Sequence, residues 1–212
     1  MTSTHRRDIE RFDRWAANYD RSWTQRIFFG PVHRGAVDVA AGLAPNPTRI
    51  LDVGCGTGAL LRVVAPRFSQ ADLMGADASV EMIRAADVAN PLPDRIHFAW
   101  AQAEELPFPD GHFELVLSTI SFHHWGDQGK GLREVERVLA PGGSFLLADH
   151  FALPLQRVFF ATPGRRKRFH TRAEIDTMLR EAGLDPRGWH DIYKIGPLLL
   201  VAGVTASKAR AG

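Results

Sequence analysis

The run Ile50-Leu51-Asp52-Val53-Gly54-Cys55-Gly56-Thr57-Gly58 places glycine at three alternate positions behind an apolar stretch that carries one carboxylate. Glycine admits positive φ and lacks the Cβ that would hold a ligand away from the backbone. A turn of this composition between a strand and a helix is where an open parallel sheet binds ligands, and the helix after it offers unpaired N–H groups. This places a small molecule across Gly54, Gly56 and Gly58. Gly54, Gly56 and Ala59 also match G-x-G-x-x-G/A, the dinucleotide fingerprint. Asp52 favours a different ligand. Two residues before the first glycine, it would repel a pyrophosphate but suits a molecule that brings a cationic amine. Asp77 falls about twenty residues on, where an acid pairs with ribose hydroxyls, and fits either ligand.

Other groups could serve chemistry more loosely. His123 and His124 in "SFHHW" are candidate bases, although capping of the loop or packing beside Trp125 is the better reading of each; His150 and His170 are further candidates, and no catalytic role is assigned. Ligand spacing for a metal is missing, so none is expected. Arg165-Arg166-Lys167-Arg168 reads as a solvated loop or, more sharply, as a phosphate contact. Without interleaved aromatics it argues only weakly for nucleic acid. Phe12, Trp15, Tyr19 and Trp23 share one helical face, as a packed helix or a lid would show. Phe28, Phe29, Phe159 and Phe160 suit either a core or an apolar acceptor pocket. Cys55 reads as a small loop residue.

The elements that must position these groups follow from periodicity. Residues 9–43 read as helices, broken at Gly30-Pro31. Strand and helix then alternate: "RILDV", "GALLRVVAPRF", "DLMGA", "SVEMIRAADVA" with Ser79 as N-cap, "RIHFAWA", "FELVLST", "GLREVERVLA" stopping at Pro141, and "SFLLADH". Such alternation argues for a parallel sheet covered on both faces, with right-handed crossovers. After the helix "TRAEIDTMLREAG", the pieces "GWHDIYK" and "PLLLVAGV" lie too close for a helical crossover. They should form an antiparallel edge hairpin.

Composition bounds the rest. The chain has 212 residues, 45% hydrophobic, enough for one core, so 1–212 is expected as a single domain: helical cover 1–45 and α/β core 46–212. With 26 Lys and Arg against 24 Asp and Glu, there is no strongly basic character to suggest a nucleic-acid partner. A single cysteine excludes an intrachain disulfide, and no signal peptide or membrane span is evident, so a cytoplasmic protein is expected.

"ILDVGCGTG" resembles the first motif of class I S-adenosylmethionine-dependent methyltransferases, and the likeness continues in order. "GADASVEMIRAA" is similar to the family's second-strand acid segment, "AQAEELPFPDGHFELVLST" to its adenine loop and fourth strand, and "LREVERVLAPGGSFLL" to its fourth-helix and fifth-strand motif. "FDRWAANYDRSW" resembles the N-terminal cover of the small-molecule branch, of the ubiquinone/menaquinone-biosynthesis type. The resemblance implies a Rossmann-like, seven-stranded, mostly parallel sheet with an antiparallel C-terminal hairpin and a helical cover. It implies S-adenosylmethionine as cofactor and a small, partly apolar acceptor.

By the same resemblance Asp52, Gly54 and Gly56 hold the methionine part and Asp77 the ribose. Ala78 and Met82 flank the adenine, Gln102 and Ala103 meet its edge, Ser118 meets the amino end through its backbone, and Tyr19 closes over the sulfonium. Gln102 stands where the family usually has Asp; its amide can still accept from the adenine amine. Glu114 replaces another frequent Asp and reads as structural. Three alternatives stay open at this point: a nucleic-acid methyltransferase, an NAD(P)-dependent oxidoreductase on the same sheet, and a protein that binds the cofactor without turnover.

Overall fold

The computed structural model describes residues 25–44, 46–151, 170–196 and 198–210. Tyr19, with the other aromatics before residue 25, and the basic run 165–168 lie outside them, as do Phe159 and Phe160. Seven strands form one sheet: β1 (Arg49–Val53), β2 (Asp72–Asp77), β3 (Ile96–Trp100), β4 (Phe113–Thr119), β5 (Leu139–Asp149), β6 (Leu184–Ile195) and β7 (Leu198–Lys208). Their order is β3-β2-β1-β4-β5-β7-β6. The first five run parallel, while β7 lies antiparallel between β5 and β6. This is the mostly parallel sheet with a C-terminal hairpin that the sequence predicts.

Helices α1 (Gly30–Leu43), α2 (Ala59–Arg67), α3 (Val80–Val88), α4 (Gln128–Val138) and α5 (Arg172–Glu181) cover the sheet. Alternate strand residues serve opposite faces, as a period of two requires. Ile50, Leu73, Leu115 and Leu146 pack beneath Ala36 and Ala40 of α1 and Leu61 and Val64 of α2. Leu51, Val116 and Phe145 pack against Leu132 and Val135 of α4 and Ile175 of α5. Both layers are fully buried. Among the described residues, no helix is long and apolar enough to cross a membrane.

Capping follows the sequence signals. The Ser79 hydroxyl accepts the Met82 N–H at 3.1 Å to start α3. Thr171 and Glu174 form a reciprocal capping box at α5. Two boundaries differ from expectation. Gly30-Pro31 does not break the chain: a π-helical turn, Gln25–Phe29, runs straight into α1, and the Ile27 carbonyl, four residues before a proline that has no N–H to offer, accepts from the Tyr193 hydroxyl at 2.8 Å instead. And α4 ends at Val138, ahead of Pro141, because Leu139 already pairs with Phe113 at the start of β5.

Glu114 is structural, as expected: it accepts from the N–H groups of Thr48 (3.2 Å) and Arg49 (2.7 Å) and pairs with the Arg49 guanidinium at 2.8 Å. It thereby pins the start of β1 to β4. Arg137 of α4 does the same for the loop after β3. It donates to the carbonyls of Leu106 (2.9 Å) and Phe108 (2.8 Å) and to Glu134, whose Oε2 takes the Leu106 N–H at 2.8 Å. Removing the guanidinium leaves these acceptors without their donor. Arg137→Met is expected to lower the unfolding free energy by roughly 2–4 kcal/mol in urea titrations, a cost typical of charge-assisted bonds.

Candidate functional site

At the carboxyl end of β1 the chain turns through three glycines with positive φ: Gly54 (78°), Gly56 (53°) and Gly58 (74°). The N–H groups of Gly54 and Cys55 donate to Ala76 O at 2.8 and 3.0 Å. Asp77 then ties the turn to the start of α3: its Oδ2 accepts from Gly56 N (2.8 Å) and its Oδ1 from Ser79 N (2.9 Å). The bare backbone has more than one cause. A Cβ on Gly54 would collide with the Ser121 side chain, and one on Gly58 would come within 2.6 Å of the Phe98 ring. Only at Gly56 would it meet nothing within 4 Å. The sequence reading attributes all three to ligand approach; the structure assigns two of them to packing within the protein.

Beyond the turn lies a cleft that is partly open to solvent. It sits where the strand order reverses on either side of β1, the usual ligand position in an open parallel sheet. Asp77, Ala78, Met82, Ala101 and Ala103 line it from the β2–β3 side. Asp52, Gly54 and Gly56 line it at β1, Thr119, Ile120 and Ser121 at β4, Phe29 from the π-helical turn and His33 from α1. Ile120 holds φ 52°, a strained conformation for a β-branched residue, and its N–H donates to Ala148 O at 2.8 Å.

Seven of the predicted residues therefore meet around one cleft: Asp52, Gly54, Gly56, Asp77, Ala78, Met82 and Ala103. Ser118 and Gln102 do not line it. Ser118 is fully buried one step below, its hydroxyl 2.8 Å from that of Ser121, because the turn at Ile120 brings residues 119–121 to the surface of the cleft instead. Gln102 closes a tight turn in which its carbonyl takes the Glu105 N–H at 3.1 Å. Residues that the sequence reading did not single out include His33, Glu104, Thr119 and Ser121. Only Glu104, an acid inside a loop that resembles the adenine segment, carried a signal.

The histidines separate by environment. His124 lines the cleft. His123 Nδ1 lies 2.8 Å from Asp149 Oδ1, and its backbone N–H donates to Oδ2 at 3.1 Å. His150 Nδ1 donates to Leu200 O at 2.9 Å, and His170 Nε2 lies 2.8 Å from Gln128 Oε1. Asp149, an acid at the end of an apolar strand, mirrors Asp52 in sequence but not in state. Burial alone would push Asp149 up, yet the His123 imidazole and its bonds bring it down to about 2. Burial, then the neighbouring charge of Asp77, push Asp52 up to about 8. Asp52 is 1% exposed, and its Oδ1 has no hydrogen-bond partner. Burial and the same two acids hold the Cys55 thiol well above its ordinary value, which leaves it no nucleophile.

Residues 51–147 match a family model described as a methyltransferase domain. The chain is 33% identical over 188 residues to a malonyl-(acyl-carrier protein) O-methyltransferase of Geobacter sulfurreducens, covering 81% of this chain and 67% of that one. The chain belongs to the class I S-adenosylmethionine-dependent methyltransferases. It is also 39% identical over 117 residues to a demethylmenaquinone methyltransferase of Thermus thermophilus, 55% of this chain and about half (52%) of that protein. In fold it is similar to the Burkholderia thailandensis 1,6-didemethyltoxoflavin-N1-methyltransferase, solved with S-adenosylhomocysteine, at TM-score 0.73 and 19% identity over 99% of this chain and 92% of that one.

The cleft of this methyltransferase fits its cofactor. The partnerless Asp52 oxygen calls for a donor, which an ammonium group supplies, and Gly56 presents backbone with no side chain in the way. In the unfolded chain Asp52 ionises at its ordinary 3.8, in the folded chain at about 8. Between these values the unfolded state has lost a proton that the folded state keeps, so stability falls as pH rises across that window. Asp52→Asn removes this dependence. The stability of the variant relative to the parent, measured without ligand in urea, is expected to rise between pH 4 and pH 8 by on the order of several kcal/mol.

Proposed function

We infer that the chain moves the methyl group of S-adenosylmethionine directly, in line, onto a small and partly apolar metabolite. The observation that carries this reading is Asp52, a buried carboxylate lacking a donor, two residues before a glycine turn and beside a second acid, Asp77. The sulfonium supplies an already activated methyl group, so the protein needs no nucleophile of its own. Its residues bind, align and exclude water; alignment of this kind is worth roughly 7–11 kcal/mol of a barrier.

In this reading Asp52 holds the ammonium and Asp77 the ribose hydroxyls, since a carboxylate offers about four acceptor sites. Ala78, Met82, Ala101 and Ala103 form apolar walls for a flat base on the β2–β3 side. The acceptor enters on the other side, between Phe29, His33 and Ile120. Ile120 also joins an apolar cluster with Val32, Phe28, Tyr193 and Leu200, which favours an acceptor with apolar surface. The relatives named above differ in their acceptors, which supports the small-molecule class and no one member of it. In this reading the chain is a single methyltransferase domain. The lone, buried Cys55 suits the reducing cytoplasm in which we place the protein.

Calorimetric titration with S-adenosylmethionine and S-adenosylhomocysteine tests the reading, and absence of heat with both would end it. Binding below pH 8 is expected to release close to one proton as Asp52 ionises against the ammonium, seen as a binding heat that scales with the ionisation enthalpy of the buffer. Asp77→Ala removes both the ribose acceptor and the anchor of the Gly56 and Ser79 N–H groups. Affinity for S-adenosylhomocysteine should drop about 100-fold or more, two charge-assisted contacts being lost. An unchanged dissociation constant would detach Asp77 from the ribose.

A further inference from the structure

We propose that Tyr193, on the edge strand β6, is a positioning residue for the methyl acceptor: its hydroxyl holds the turn ahead of α1 so that Phe29 stands as a wall of the cleft. The proposal rests on the reading above, in which the acceptor enters between Phe29, His33 and Ile120, and it adds a residue from the far end of the chain.

The start of α1 lacks the device that fixes other helices. Ser79, Asp127 and Thr171 cap α3, α4 and α5 with side-chain oxygens, whereas the residue in that position for α1 is Phe29, which has no such group. The chain instead enters through the π-helical turn Gln25–Phe29, a rare geometry that recurs at functional sites. Pro31 offers no N–H to the Ile27 carbonyl four residues before it. The Tyr193 hydroxyl donates to that carbonyl at 2.8 Å, across 166 positions of sequence.

Strand β6 is shaped for this contact. Its pairing with β7 shifts register on both sides of Tyr193, between Asp191 and Tyr193 and again between Tyr193 and Lys194. Irregularities of this kind at a sheet edge re-aim a side chain. Beside it α1 lies directly on the strand: a Cβ on Gly35 would come within 2.7 Å of the Ile192 carbonyl oxygen. The Tyr193 ring meets Phe28 edge-on at 5.6 Å, and His150 stacks on Phe28 at 5.6 Å. Consecutive residues of a helical turn face different ways. Holding Phe28 toward the hairpin therefore directs Phe29, whose ring stands at 85° to that of Phe28, into the lining of the cleft. Tyr193 itself is not part of that lining, so it acts through Phe29.

The test titrates 2-naphthol, a flat and apolar hydroxyarene, by calorimetry into the full chain saturated with S-adenosylhomocysteine. Tyr193→Phe removes one exposed hydroxyl and keeps the ring contact, so its thermal midpoint should stay within about 4 °C of the parent's. It should bind 2-naphthol roughly 3–10-fold more weakly, the scale of one aromatic contact, while affinity for S-adenosylhomocysteine stays within about twofold. Phe28→Leu withdraws the ring between Tyr193 and His150; it should weaken 2-naphthol in the same way, and serves if Tyr193→Phe does not fold. In a Phe29→Leu background Tyr193→Phe should cost nothing further, because its effect passes through that ring. An undiminished 2-naphthol affinity in both variants would overturn the proposal, as would a loss shared equally by the two ligands. So would a full loss that persists in the Phe29→Leu background, or a parent complex that takes up no 2-naphthol. A parent that binds no S-adenosylhomocysteine would instead overturn the cofactor assignment, and this proposal with it.

Discussion

The carboxylate of Asp77 accepts an N–H from Gly56 with one oxygen and from Ser79 with the other, and the cleft is organised around that clamp. It can form because β1 and β2 run parallel and in register, Asp52 opposite Gly75, so that both strands deliver an acid to the same edge of the sheet. Gly75 contributes by what it lacks: a Cβ there would come within 2.8 Å of the Cys55 sulfur and prevent the turn from closing. The cost is that Asp52 is buried close to a second carboxylate, which the two packed layers flanking the sheet must offset.

Comparison of Asp52 with Asp149 shows what completeness means here. Both acids end an apolar strand and both are almost fully buried. Asp149 is surrounded by donors from His123 and His150 and stays ionised down to about 2; Asp52 has an oxygen with none and keeps its proton up to about 8. The first is a finished structural network that fixes the residues after β4 against β5. The second has an oxygen that the protein itself leaves without a donor. Glu104 stands between them, one oxygen satisfied within the protein and one not.

Local strain serves the same geometry. Ile120 holds a backbone conformation that β-branched residues avoid, and β4 thereby ends with Thr119, Ile120 and Ser121 turned to the cleft. The Ser121 hydroxyl returns to Val53 O at 2.9 Å and occupies the space that a side chain on Gly54 would need. The glycine turn and the end of β4 are thus fitted to each other before any ligand arrives. The chemistry of the acceptor does not follow from this arrangement, because the scaffold is shared by enzymes with different acceptors and substrate pockets arise from variable segments.

Much of the fold was legible in the residues. Period-two apolar runs, their alternation with helical periods, Ser79 as a cap and the glycine turn are local signals, and local sterics and burial are enough to read them. Asp52, Gly56, Asp77 and Met82 were legible for the same reason: each sits at a fixed distance from a strand end. Some features depend on which strand ends meet, and sequence spacing does not reveal that. The packing that makes Gly54 and Gly58 obligatory comes from Ser121 and Phe98, far along the chain. The pairing of Asp149 with His123, and the positions of Gln102 and Ser118 outside the lining of the cleft and of Glu104 within it, arise from turns whose conformation is set by contacts across the sheet. Sequence determined the sheet and the acids at its edge; tertiary structure decided which of those acids are already satisfied, because a hydrogen bond depends on what lies within about 3 Å in space, not on what is near in the chain.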